Sequence, residues 1–210
     1  MVQKGQFLER STLVPVGTEV MEATAHRGKL APPLLIIPPR PDEGGGMDHV
    51  LAAELAWAAA HAGFPTLRFN HRGVGASQGT RGRDLALLED AEAALQVLLE
   101  NAGTRAVAVA ALHGGAQVAL ALQARDAQVG GLCLVAPADI DPAILARVTC
   151  PLLVVQGEQD GRLPRAGVAD AVMRAGGDFE VIDDAGAAFH HNLPHVGRAV
   201  SAWLRKLSGG

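Results

Sequence analysis

The stretch Arg105-Ala106-Val107-Ala108-Val109-Ala110-Ala111-Leu112-His113-Gly114-Gly115 decides the fold. Its first part is a continuous run of small and β-branched apolar residues. Such a run reads as a strand buried on both faces, the pattern of a parallel sheet covered by helices. Its end is a tight turn with two glycines, and Gly114–Ala124 then takes helical spacing. A strand feeding directly into a helix is half of a βαβ unit.

The same grammar extends in both directions. Leu13–Val16 and Glu19–Ala25 read as a first hairpin turned at Gly17. Further strands are expected at Leu34–Pro38, Pro65–Asn70, Gly131–Ala136, Leu152–Gln156 and Phe179–Asp183. Helices are expected at Asp48–Ala62, with Gly63 as its stop, and at Asp84–Glu100, Arg165–Ala175 and Leu193–Leu207. Leu87, Leu88, Ala91, Leu95 and Leu98 line one face of the second of these. Right-handed crossovers between the strands give a three-layer, doubly wound, mostly parallel α/β sheet. No repeat or composition break divides the chain, so residues 1–210 read as a single domain.

Composition narrows the function. Apolar residues make up 49% of the 210, enough for a sizeable core, and the net charge of -4 comes without a basic run. Aromatics are only 3%, with no tyrosine, which disfavours base stacking. Neither nucleic acid nor membrane is an expected partner. Met1–Arg10 lacks an apolar signal core, so the cytoplasm is the expected compartment. Cys133 and Cys150 lie at strand-like runs without metal-ligand spacing. The Gly-rich loop His71–Arg83 does not open a helix in a dinucleotide-binding context, and Gly44–Gly46 lacks the Lys-Ser/Thr of a phosphate loop. No cofactor and no metal are expected.

In an open α/β sheet, ligands bind beyond the carboxyl ends of the strands. The loops to read for chemistry are therefore Pro38–Gly46, Asn70–Gly79, Leu112–Gly115, Pro137–Asp141, Gly157–Arg162 and Asp184–His191. Three of them carry a resemblance. Leu67-Arg68-Phe69-Asn70-His71-Arg72-Gly73-Val74-Gly75-Ala76-Ser77-Gln78-Gly79 resembles the loop after the fourth strand of the α/β-hydrolase superfamily. Pro39-Arg40-Pro41 with Gly44-Gly45-Gly46-Met47-Asp48 resembles its oxyanion loop and first helix. Val154-Val155-Gln156-Gly157-Glu158-Gln159-Asp160 resembles its acid-bearing strand end. The chain is similar over Leu34–Leu207 to the small, lidless dienelactone-hydrolase-like or serine-esterase-like branch, which implies an α/β-hydrolase fold without a lid.

The catalytic positions that the resemblance implies are altered. The nucleophile elbow reads Ala111-Leu112-His113-Gly114-Gly115, with His113 where the serine belongs. The triad histidine aligns with Ala187, while His190 and His191 follow three and four residues later. Asp160 keeps the acid position. None of the four serines, Ser11, Ser77, Ser201 and Ser208, sits at a strand-to-helix elbow. Pro38, Pro39 and Pro41 have no backbone N–H, so Arg40 N–H and Gly114 N–H are the candidate oxyanion donors. The Arg40 guanidinium is a further anchor for a carboxylate or phosphate.

These residues leave three readings. The first is a pseudo-hydrolase with a degenerate triad that binds a small acyl or carboxylate ligand, or a protein partner, in the cleft. The second is an esterase-like hydrolase or a lyase of altered mechanism, with His113 and Asp160 as an acid/base pair and His190 as a shifted base. The third is a non-catalytic subunit of a hetero-oligomer; homo-oligomers are also compatible with the chain.

Overall fold

A computed structural model describes residues 8–209. One eight-stranded sheet organises them, in the order β1-β2-β4-β3-β5-β6-β7-β8. The strands are β1 (Arg10–Val16), β2 (Glu19–His26), β3 (Leu34–Ile37), β4 (Thr66–Phe69), β5 (Val107–Leu112), β6 (Val129–Val135), β7 (Leu152–Gly157) and β8 (Asp178–Ile182). β1 pairs antiparallel with β2, and β2 antiparallel with β4. Every later pairing is parallel.

The helices are α1 (Val50–His61), α2 (Leu85–Ala102), α3 (Gly115–Arg125), α4 (Pro142–Leu145), α5 (Arg165–Arg174) and α6 (Leu193–Gly209). The strand period of two sorts the apolar residues into two cores. On β5, Val107, Val109 and Ala111 join the layer containing α2, α3 and α5. Ala108, Ala110 and Leu112 join the layer containing α1 and α6. β3, β4, β5 and β7 are buried at every residue; β3 and β5 are continuous apolar runs, while β4 buries Thr66 and Arg68 and β7 buries Gln156 as well.

Two short elements were not expected from the sequence. α4 has four residues, opened by Asp141, whose Oδ1 accepts from Ala143 N–H at 2.9 Å. A 3-10 turn covers Pro41–Glu43. Both are too short to show periodicity, and both lie in loops above the carboxyl ends of the strands. β1 also begins three residues earlier than the apolar run, because Arg10, Ser11 and Thr12 pair with Ala25, Thr24 and Ala23. Among the described residues no helix is long and apolar enough to cross a membrane.

Candidate functional site

The turn between β5 and α3 has the geometry of a nucleophile elbow. His113 takes φ 51°, in the left-handed region that histidine enters more readily than most residues. Gly115 has no room for a side chain: a Cβ there would lie 2.3 Å from the Pro38 carbonyl oxygen at the end of β3. The close approach of the two strand ends thus requires glycine. It places His113 at the carboxyl edge of the sheet, where it is 9% exposed.

Asp160 stands beyond β7, as expected, but it does not meet His113 directly. Arg162 lies between them. Its Nε and Nη2 donate to Asp160 Oδ1 and Oδ2 at 3.0 and 2.9 Å. The same Nη2 donates to Ala136 O at 2.9 Å, and Nη1 donates to His113 Nδ1 at 2.9 Å. The turn is braced by Arg162 N–H on Asp160 Oδ1 and by Gln156 Nε2 on the Asp160 and Leu163 carbonyls. The expected His113–Asp160 pair is thus replaced by a His113–Arg162–Asp160 relay in which the arginine holds the place of a base.

That contact fixes the state of the imidazole. A guanidinium has no lone pair to offer, so Nδ1 must accept and the neutral ring carries its proton on Nε2. The Ala136 carbonyl, 3.3 Å from Nδ1, could pair only with a protonated Nδ1, and the shorter Arg162 contact at 2.9 Å takes the lone pair of that nitrogen instead. Burial first, and the Arg162 charge second, push the His113 pKa down to about 4. His113 is therefore neutral at pH 7. Burial alone would raise the Asp160 carboxyl, but the Arg162 hydrogen bonds outweigh it and hold the group below its ordinary range.

His49, just before α1, packs edge-to-face on His113 with ring centroids 5.2 Å apart. Burial lowers its pKa too. His190 does not join the cluster. The preceding Phe189 is 1% exposed and fills the α1/α6 core, which turns His190 outward, where it makes no hydrogen bond or ion pair among the described residues. Ala187 packs partly buried against the same core and brings no imidazole. Met1–Phe7 and Gly210 lie outside the described residues.

The two expected oxyanion donors do converge, and they already hold an anion. Arg40 N–H donates to Glu43 Oε2 at 2.9 Å, and Gly114 N–H donates to the same oxygen at 3.2 Å. A Cβ at position 114 would lie 2.5 Å from Glu43 Oε1, so glycine there leaves the room that the carboxylate takes. The Arg40 guanidinium bonds Gln117 Oε1 and Asp139 Oδ2, each at 3.0 Å. Arg162, Glu43 and His49 escaped the sequence reading; the only signal for the first two was their place in loops that follow strands.

The Gly-rich loop is structural. Ser77 Oγ donates to Asn70 O and accepts from Glu22 N–H, and Asp90 on α2 receives His71 Nδ1 and Arg72 N–H. Gly73, Gly75 and Gly79 take positive φ. Among the described residues, no group of three or more His, Cys, Asp or Glu side chains could hold a metal ion.

Residues 43–145 match the family described as serine aminopeptidase, S33. An uncharacterized Rickettsia prowazekii protein is 26% identical over 187 residues, covering 83% of this chain and 79% of that one. A solved structure from Agrobacterium tumefaciens, of unknown function and provisionally an α/β hydrolase, superposes with a TM-score of 0.82 at 26% identity, covering 96% of this chain and 97% of that one. An α/β serine hydrolase homologue from Coxiella burnetii gives 0.77 at 28% identity, over 92% and 96%. A lidless α/β serine hydrolase from Xanthomonas campestris gives 0.82 at 21% identity over 96% of each, a likeness of fold. The chain superposes on these structures over almost its whole length, and with the family match this makes it an α/β-hydrolase-fold protein.

Proposed function

We propose that this chain is a pseudo-hydrolase: a cytoplasmic protein that keeps the hydrolase cleft and binds a small acyl or carboxylate ligand there without cleaving it. The observation that carries this reading is the Arg162 N–H donated to His113 Nδ1 at 2.9 Å. Acyl transfer needs a nucleophile, a base to take its proton and a group to orient the base. Here the elbow residue is an imidazole whose Nδ1 lone pair is engaged and whose Nε2 carries the proton. It offers the cleft a hydrogen-bond donor in place of a nucleophile. With its pKa near 4 it is also a weak base at pH 7. A working His113–Asp160 pair would need the carboxylate to face the ring, where Arg162 stands. The oxyanion donors are engaged by Glu43.

The test is hydrolysis of a panel of short activated acyl esters by the wild-type chain and by His113→Ala. The expected result is no turnover above buffer in either. Wild-type turnover that disappears in His113→Ala overturns the reading and makes His113 the working residue of an altered mechanism.

A further inference from the structure

We propose that Glu43 is the resident occupant of the cleft's anion site, and that a singly charged carboxylate ligand binds by taking its place. The inference rests on the ligand-binding reading above and not on the absence of turnover.

Three features carry it. First, two backbone N–H groups from distant parts of the chain, Arg40 and Gly114, converge on the single atom Glu43 Oε2. Two donors aimed at one oxygen are a built anion site, and Gly114 lies at the start of α3, where the helix dipole adds to its pull. Glycine at 114 leaves the space that the carboxylate fills.

Second, the charges select the ligand. The Arg40 guanidinium faces Asp42 at 3.2 Å, Glu43 at 3.8 Å and Asp139 at 3.0 Å. Arg162 is matched by Asp160. Four carboxylates thus face two guanidiniums. Exchanging Glu43 for another monoanion leaves that balance unchanged, whereas a dianion such as phosphate adds a charge beside Asp42 and Asp139. A neutral ester carbonyl makes weaker hydrogen bonds than the ionised group it must displace. The site therefore favours a monocarboxylate over both.

Third, the occupant can leave. The Glu43 side chain is 25% exposed, so rotating it into solvent strands no buried charge. Glu43 then acts as an intramolecular competitor that sets how tightly the cleft holds its ligand.

Calorimetric titration with sodium butyrate tests this on the wild type, Glu43→Gln and Glu43→Ala, with inorganic phosphate as the second probe and thermal melts to establish folding. Glu43→Ala is expected to bind butyrate about tenfold or more tightly than the wild type, from the charge-assisted bonds no longer competed for. Glu43→Gln, which still presents an oxygen to the two N–H groups, should fall between them. Equal butyrate affinity in wild type and Glu43→Ala, no butyrate binding by folded Glu43→Ala, or an equal gain for phosphate would each overturn the proposal. Ester turnover by the wild type would remove the non-hydrolytic reading and leave this comparison standing.

Discussion

Acidification should destabilise the protein through His113, and the size of the effect follows from where the ring sits. The imidazole is 9% exposed, and its pKa falls from 6.5 to about 4 on folding. Between those values the unfolded chain binds a proton that the native chain refuses. Stability is therefore fully present above about 6.5 and is lost as the pH falls toward about 4. Integrating the linkage from neutral pH down to about pH 5 gives a loss of about 2 kcal/mol from this one residue. His113→Asn removes the titration while keeping a residue that tolerates positive φ. Urea unfolding of both proteins at neutral pH and about pH 5 isolates the term, because slopes of ΔG against denaturant are extrapolated in the same way. His26 and His49, also lowered chiefly by burial, act in the same direction in both proteins and largely cancel in the difference. The wild type should lose about 2 kcal/mol more than His113→Asn. An equal loss in the two would refute the assignment of a buried, neutral imidazole at the elbow.

Replacing Arg162 with Gln should raise the His113 pKa toward its ordinary value and leave Asp160, 7% exposed, without its fork. The cost should be about 2 kcal/mol by urea unfolding, with the ring titration followed by NMR; an unmoved histidine pKa would remove Arg162 as a cause. Gly115→Ala should cost roughly 3 kcal/mol in thermal or urea unfolding, because its Cβ meets the backbone oxygen of Pro38 at 2.3 Å. Gly114→Ala should cost under about 1 kcal/mol, since its Cβ meets only the ends of two flexible side chains, Glu43 Oε1 at 2.5 Å and Arg40 Nε at 2.9 Å, which can move aside. A reversal of that order would contradict the elbow packing.

How far the sequence reaches is visible in particular residues. The strands were legible because Val107–Leu112 and Leu152–Val155 are apolar without interruption, as strands covered on both faces are. His113 and Asp160 were legible because each follows such a run. The relation between them was not. Arg162 reaches His113 across 49 positions of sequence, and Glu43 reaches Gly114 across 71. Neither contact follows from local spacing, because each depends on how far one long side chain extends from its own loop to another strand's end. His190 misled for a related reason. Its proximity in sequence to the expected base position said nothing of Phe189, whose burial in the core, stabilising by roughly 1.5–3 kcal/mol, turns the next residue to solvent.

The most direct measurement is steady-state hydrolysis of activated short-chain acyl esters by the wild-type chain beside His113→Ala, from about pH 5.5 to mildly alkaline pH, a range that spans the ordinary histidine pKa. An elbow imidazole bound by Arg162 predicts rates that match the buffer in both proteins and show no titrating limb. A wild-type rate that depends on His113 and rises through a histidine pKa would contradict it, since only a ring with a free lone pair in the cleft could give that result.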